Sequence, residues 1–239
     1  MNLRILSDYS TLSRAAADLI VAYLKAKPKS TLCLASGHSP KGVFECLIND
    51  VASKRLNLDE CTFISLDEWL GVPASQPGSC RDMMDKDFFK PLDIHPSRIV
   101  FFNGITADPD REVAVMNEVI DRAGLDIMLV GVGTNGHIAM NEPGTSFTIT
   151  AHVSTLAEET KMVGQKYFER NTALSKGLTL GLAHFRAARL PILIASGQSK
   201  QGIMKRVLTS SPDERIPASV VHLIPDAYVM VDKDPFSVG

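Results

Sequence analysis

The sequence predicts an α/β fold, consisting of a single domain with a mostly parallel, doubly wound sheet, helices on both faces and a lid segment. Short apolar runs typical of buried strands alternate with stretches of helical periodicity along most of the 239 residues. Such alternation is typical of a parallel sheet with right-handed crossovers. The hydrophobic share of 45% is enough for a substantial core. We therefore treat residues 1–239 as one domain.

The individual elements follow from the spacing of apolar residues. Apolar runs predict strands at residues 31–35, 61–66, 99–102, 126–130, 190–195, 218–223 and 228–231, and residues 177–182 are a further apolar stretch. Helical spacing predicts helices at residues 10–26, 41–52, 82–89, 110–123 and 158–171, with a further helix ending at Ala188 and another after Lys200.

The regular alternation breaks after Gly144. Residues 145–157 are polar and rich in threonine and serine, and residues 158–171 are charged and moderately helical. A polar, irregular insertion beside candidate site loops is typical of a movable cover. The sequence therefore predicts a lid at residues 145–175.

Composition excludes several classes of partner. The net charge is -2 and the charges are interspersed, so no basic surface for nucleic acid is expected. No apolar run approaches the length of a membrane span, and the first residues lack the apolar centre of a signal peptide. The four cysteines match neither a zinc pattern nor a redox pair. These features predict a cytoplasmic protein.

A glycine-rich loop follows the strand predicted at residues 126–130. Gly133 and Gly136 give the backbone freedom, while His137 and Glu142 supply an imidazole and a carboxylate. On a tight loop these groups can hydrogen-bond, which would favour the protonated imidazole. Ligands bind at such strand ends in open α/β sheets, although a lone glycine turn is also typical of a plain connection.

Two other turns join a strand to a helix and carry small polar residues. The first is residues 36–40, SGHSP, and the second is residues 196–200, SGQSK. Backbone N–H groups at a helix start, with hydroxyls and a glycine, favour phosphate binding, and Lys200 adds a positive charge. Neither turn has the spacing of a Walker loop or a dinucleotide fingerprint. Capping by Ser36 or Ser39 without any ligand is the competing interpretation.

Acidic residues stand at the end of the strand predicted at residues 61–66. Asp67 and Glu68 come directly before Trp69. A carboxylate beside an aromatic ring at this edge of the sheet can act as a general base, because partial burial raises its pKa. A helix cap is the alternative.

Together these segments resemble the glucosamine-6-phosphate deaminase/isomerase and 6-phosphogluconolactonase family from about Thr31 to Asp226. The similar segments occur in the family's order: LASGHSPKGVF, FISLDEWLGVP, GVGTNGHIAMNEPG, GLTLGL and ILIASGQSKQGIMKRVL. DE followed by an aromatic residue, and NEP after the histidine, resemble the deaminase branch more than the lactonases. The combination of DEW, PGSC, TNGH, GLTLGL and IPAS is most similar to the galactosamine-6-phosphate deaminases.

The resemblance implies an enzyme of amino-sugar metabolism, grouped with the hydrolases and isomerases, that acts on galactosamine 6-phosphate or glucosamine 6-phosphate. It implies that Asp67 moves a proton between C2 and C1 of the sugar, and that His137, supported by Glu142, assists ring opening. The implied substrate contacts are Ser36, Gly37, Ser39, Gly133, Lys166 and Lys200. Lys166 stands where deaminases of this type use a lid arginine. No metal or organic cofactor is implied.

Asn135 departs from the family pattern, because many glucosamine-6-phosphate deaminases have an aspartate there. An amide can orient the imidazole but cannot stabilise its positive charge as a carboxylate would. We therefore expect His137 to be less basic than in the aspartate-bearing enzymes, with Glu142 as its partner charge.

Two rival functions follow from the same resemblance. A 6-phosphogluconolactonase would use His137 to activate water and would not need a carboxylate over C2. A sugar-phosphate sensor would bind without turnover. A homo-oligomer is compatible with the sequence, and the short stretch after Tyr228 favours an assembly simpler than an allosteric hexamer.

Overall fold

A seven-stranded sheet and a three-stranded sheet form the framework of the computed structural model, which describes residues 1–233. The strands are β1 (Asn2–Ile5), β2 (Thr31–Leu34), β3 (Thr62–Ile64), β4 (Asp67–Trp69), β5 (Ile99–Val100), β6 (Ile127–Gly131), β7 (His152–Thr155), β8 (Lys176–Thr179), β9 (Leu190–Ala195) and β10 (Tyr228–Val231). The large sheet has the order β1-β10-β9-β6-β2-β3-β5 and is parallel throughout. The small sheet has the order β4-β8-β7 and is antiparallel.

Helices connect these strands. They are α1 (Tyr9–Ala26), α2 (Lys41–Ala52), α3 (Cys80–Met84), α4 (Pro109–Ala123), α5 (Glu158–Gly164), α6 (Leu182–Ala187) and α7 (Gln198–Thr209). A π-helical turn, Asp85–Phe89, continues α3, and 3₁₀ turns occur at Pro96–Arg98, Gln165–Tyr167 and Pro217–Leu223. No helix among residues 1–233 is both long and apolar enough to cross a bilayer.

The large sheet separates two hydrophobic cores. Along β6, Met128 and Val130 pack into one core with side chains of α4, α6 and α7. Ile127 and Leu129 pack into the other with α1 and α2. This alternation follows from the pleat of a strand that is buried on both faces. The predicted doubly wound α/β fold is confirmed.

Strands β2 and β6 are neighbours at the middle of the sheet, with Leu32 paired to Ile127. From β2 the chain continues through α2 to β3 on one side, whereas β6 leads towards β9 and β10 on the other side. Connections that leave in opposite directions create a crevice at the carboxyl ends of two parallel strands. The fold thus places the turns after β2 and β6 side by side.

Several elements differ from the sequence predictions. Residues 218–223 are not a strand but part of the 3₁₀ segment Pro217–Leu223, because a short buried apolar run does not distinguish a strand from a helical turn. Edge strand β1 was not predicted, since none of its side chains is buried. The small sheet was also missed: β4 and β7 are polar, and their pairing depends on the distant strand β8.

Candidate active site

A cavity of about 400 Å³ lies at the carboxyl ends of β2 and β6. The turns after β2, β6 and β9 line it, together with β4 and the α5 segment, which we define as residues 158–167. All the predicted substrate contacts line this cavity, as do two of the predicted catalytic residues: Ser36, Gly37, Ser39, Asp67, Gly133, His137, Lys166 and Lys200. The other two predicted catalytic residues, Asn135 and Glu142, do not line the cavity. They contact each other and His137.

The turn at residues 36–40 presents backbone to the cavity. Gly37 has a φ of 87°, a left-handed conformation that favours glycine. Helix α2 begins after Pro40 without a side-chain cap, so the serines of the turn do not serve as caps. The Tyr9 hydroxyl accepts a hydrogen bond from the Gly42 N–H at 2.8 Å and fixes the start of the helix. Ser36 and Ser39 therefore line the cavity without capping the helix, and their hydroxyls can contact a bound anion.

The turn after β9 is held by Asp232, which accepts hydrogen bonds from Ser196 Oγ at 2.5 Å and from the Gly197 N–H at 2.8 Å. This bracing positions the first turn of α7, where Lys200 lines the cavity. Burial lowers the pKa of Lys200, and the Glu159 carboxylate partly offsets that effect. A bound anion would stabilise the ammonium further.

Asp67 faces the cavity from β4. Burial, with a further contribution from the neighbouring Glu68 charge, raises the pKa of Asp67 to about 7. A carboxylate with this pKa can accept and return a proton near neutral pH. Glu68 points away from the cavity and is fully buried. The interpretation of Asp67 as a helix cap does not fit, because it lies within a strand.

The imidazole of His137 lies against Gly133. A Cβ added at Gly133 would be 2.3 Å from His137 Cε1 and 2.4 Å from Nε2, so any larger residue there would displace the ring. Thr160 of the α5 segment contacts the other ring nitrogen, with 3.2 Å between Oγ1 and Nδ1. The ring is thus fixed between a backbone surface and a hydroxyl.

The expected direct hydrogen bond between His137 and Glu142 is not formed, because Nδ1 and Oε2 lie 3.7 Å apart. Asn135 bridges the two residues: its side-chain amide donates to Glu142 Oε2, and its Oδ1 accepts from the His137 backbone N–H, both at 3.1 Å. Burial lowers the pKa of His137, and the Lys200 charge lowers it further against the opposing effect of Glu142. The neutral imidazole is therefore favoured over the protonated form that a direct hydrogen bond to Glu142 would support.

The predicted lid region contains β7, α5 and a 3₁₀ turn. Lys166 is exposed and lines the cavity rim, as the sequence predicts. Tyr167 follows it and stacks on the exposed His38 ring, with centroids 5.2 Å apart and planes at 23°. The α5 segment is also joined to the histidine loop through a hydrogen bond between Thr134 and Glu159.

Several cavity residues were missed by the sequence reasoning: Cys80, Glu159, Thr160, Tyr167 and Ser199. No local motif marks the α5 residues, which reach the cavity only because the segment folds back over it. Cys80 is positioned at the cavity by Glu68, because the Cys80 backbone N–H donates a hydrogen bond to the Glu68 carboxylate at 2.9 Å. Within residues 1–233, no group of three or more metal-ligating side chains is arranged to hold an ion.

Comparisons with known proteins agree with this geometry. A family model described as glucosamine-6-phosphate isomerases/6-phosphogluconolactonase matches residues 7–229. Glucosamine-6-phosphate deaminase 1 of Bacillus subtilis (strain 168) is 35% identical over 232 residues, or 96% of each chain. A glucosamine-6-phosphate deaminase of Halothermothrix orenii is 32% identical over 240 residues, covering both chains completely.

The fold of this chain is also similar to those of solved structures. One described as a monomeric glucosamine-6-phosphate deaminase has a TM-score of 0.94 at 34% identity and covers 98% of each chain. A 6-phosphogluconolactonase from Trypanosoma brucei has a TM-score of 0.79 at 19% identity, covering 98% of this chain and 97% of its own, which shows a shared fold.

These relatives correct one expectation from the sequence. They are named deaminases, and the family name includes isomerases, so grouping this protein with the hydrolases is wrong. The suspected resemblance is confirmed by a match that extends through most of the sequence and all of the turns that line the cavity. The chain is an enzyme, and it belongs to the family of glucosamine-6-phosphate isomerases and 6-phosphogluconolactonases.

Proposed function

We propose that this enzyme converts a 2-amino-2-deoxyhexose 6-phosphate into a ketose 6-phosphate and ammonia. The observation that carries the proposal is the position of Asp67, a carboxylate with a pKa of about 7, in the same cavity as His137 and Lys200. The deaminase relatives, at 35% identity over nearly the full chain, support the same reaction.

In the proposed mechanism, the neutral imidazole of His137 accepts the proton of the C1 hydroxyl and returns it to the ring oxygen as the bond between C1 and that oxygen breaks, which opens the sugar ring. Asp67 then removes the proton from C2 and returns it to C1, giving an imine at C2. Water replaces nitrogen at C2, and ammonia leaves. No step needs an electron acceptor, because the aldehyde at C1 is reduced while C2 is oxidised.

The phosphate end fixes the open chain. We assign its binding to Ser36, Gly37 and Ser39 of the first turn and to Lys200 of the second. Gly133 brings the backbone close to the sugar, and Lys166 adds a charge at the rim. Anchoring a substrate away from its reacting carbons lets one carboxylate reach both of them.

We also propose that residues 145–175 act as a lid. The α5 segment is tied to the histidine loop by the Thr160 contact with His137 and the hydrogen bond between Thr134 and Glu159. Opening this segment would break these contacts and admit substrate.

For the configuration at C4, we propose galactosamine 6-phosphate as the preferred substrate and glucosamine 6-phosphate as the second. The support is the combined DEW and PGSC motifs, whose Trp69 and Cys80 both line the cavity. The relatives named for glucosamine 6-phosphate argue for the other order. Parallel kinetics on the two epimers decide between them.

The test is ammonia release by the purified protein offered galactosamine 6-phosphate, glucosamine 6-phosphate and, as a third substrate, 6-phosphogluconolactone. Ammonia from either amino sugar is the expected result, with the higher kcat/KM for the galactosamine epimer. Turnover of the lactone alone would replace the proposal with a lactonase. Binding of all three compounds without turnover would identify a sensor.

We propose that the enzyme acts as a monomer, because the structural neighbour with a TM-score of 0.94 is described as monomeric. Sedimentation velocity at several concentrations should give a single species near 26.0 kDa. A larger species that persists on dilution would contradict this.

A further inference from the structure

Tyr167 reaches from the α5 segment to the turn at residues 36–40. A Cβ added at Gly37 would lie only 2.7 Å from the Tyr167 hydroxyl oxygen. The Tyr167 ring stacks on the His38 ring, with centroids 5.2 Å apart, and this places the phenol oxygen over the backbone of the turn. The side chain is therefore positioned by its ring, with its hydroxyl beside Gly37.

The hydroxyl retains a free donor in this arrangement. A phenol can accept one hydrogen bond and still donate its own proton. Burial raises the pKa of Tyr167, so the proton is retained through the neutral range. A fixed O–H over a glycine turn, in a cavity that also contains Lys200, suits a phosphate oxygen as acceptor.

We propose that the Tyr167 hydroxyl is a further substrate-binding group, which donates a hydrogen bond to the phosphate of the bound sugar. This inference rests on the proposed function and adds a contact to it. Tyr167 and the adjacent Lys166 then bring two groups of the α5 segment to the phosphate. A phosphorylated ligand would then stabilise the closed position that the segment already has in this structure.

A competing arrangement makes an opposite prediction. If the phenol merely occupies the His38 N–H, phosphate must displace it, and removal of the hydroxyl would strengthen binding. Tyr167→Phe separates the two cases, because phenylalanine keeps the ring that stacks on His38. Tyr228→Phe is the matched control: Tyr228 lies on β10, beneath Arg4, and does not line the cavity.

The experiment measures binding of inorganic phosphate and of glucose 6-phosphate by calorimetry at constant ionic strength. We expect a roughly tenfold or larger rise in Kd for both probes in Tyr167→Phe, as for loss of a hydrogen bond to a charged group. The control and the thermal midpoints should remain unchanged. An unchanged or lower Kd in Tyr167→Phe overturns the inference, as does failure of the unaltered protein to bind either probe.

These probes bind without being deaminated, so the result is independent of turnover. Absence of ammonia release with a Tyr167-dependent Kd would defeat the proposed reaction and leave the phosphate contact standing. Ammonia release with a Kd that does not depend on Tyr167 would support the proposed reaction and overturn the phosphate contact.

Discussion

Asp67 and Glu68 are consecutive carboxylates on β4 that have opposite surroundings. Glu68 is 0% exposed and accepts the backbone N–H groups of Trp69, Cys80 and Arg81 at 2.8 to 2.9 Å. Asp67 points to the other side of the strand, into the cavity, as the alternation of a strand requires. Burial raises the pKa of Asp67, and the Glu68 charge adds to that effect. Thus one carboxylate fixes the loop around α3 while the other is left for chemistry.

The pH dependence of catalysis should report on Asp67. Because the base must be deprotonated, kcat/KM should fall below a pKa of about 7. Asp67→Asn should lower kcat roughly 10²- to 10⁴-fold, the usual contribution of a general base, while glucose 6-phosphate still binds. Steady-state kinetics between pH 5 and 9 measure both effects. Retention of most turnover in the variant would remove this base assignment.

The same carboxyl should make stability depend on pH. Its pKa is about 7 in the folded chain and 3.8 in a model peptide, so between these values the folded state binds the extra proton. Stability from this group is therefore complete below pH 3.8 and decreases until about pH 7. Asp67→Asn should raise the free energy of unfolding more at pH 8 than at pH 5, by at most about 3 kcal/mol, as measured by denaturant unfolding at both pH values. Equal effects at both pH values would contradict this.

Glu68→Gln should alter both the loop and the base. The glutamine amide keeps one oxygen that can accept from the backbone, but its NH₂ group faces backbone N–H donors and cannot accept from them. We therefore expect the free energy of unfolding to fall by roughly 2 to 4 kcal/mol. Removal of the charge should move the acidic limb of kcat/KM to lower pH, because Glu68 raises the pKa of Asp67. Denaturant unfolding and the pH profile measure the two effects. A limb that stays in place or moves upward argues against the coupling.

Asn135→Asp tests the bridge between His137 and Glu142. The second carboxylate should raise the pKa of His137, because negative charge near the ring favours its protonated form. Titration of the ring protons by NMR, with the exposed His95 as an internal reference, gives the shift. An unchanged or lowered His137 pKa would count against the role assigned to Asn135.

Local sequence was sufficient for the turns at residues 36–40 and 196–200 and for the histidine loop. In each, a buried strand, a glycine and polar residues are adjacent in the chain, and the parallel sheet then brings the strand ends together. The contacts of Thr160 and Tyr167 could not be predicted in this way. Both depend on the fold of the α5 segment over the cavity, and neither residue belongs to a local pattern.

The direction of the His137 pKa shift also could not be predicted from the sequence, because it depends on the balance between burial and nearby charges. A carboxylate in the same loop favours a protonated His137, yet burial and the Lys200 charge lower the pKa of the ring, which lies 3.7 Å from Glu142. Desolvation depends on the whole cavity wall, which no spacing of residues records.

Gly133→Ala should displace the imidazole of His137. The added Cβ would lie 2.3 Å from Cε1, and backbone on one side with Thr160 on the other leaves the ring little room to move. We expect kcat to fall at least tenfold, since small displacements of a catalytic group are costly. Gly202→Ala is the control, because its Cβ would meet nothing within 4 Å and alanine favours the helix α7. Full activity in Gly133→Ala, with a folded protein, would show that the position of the ring does not limit turnover.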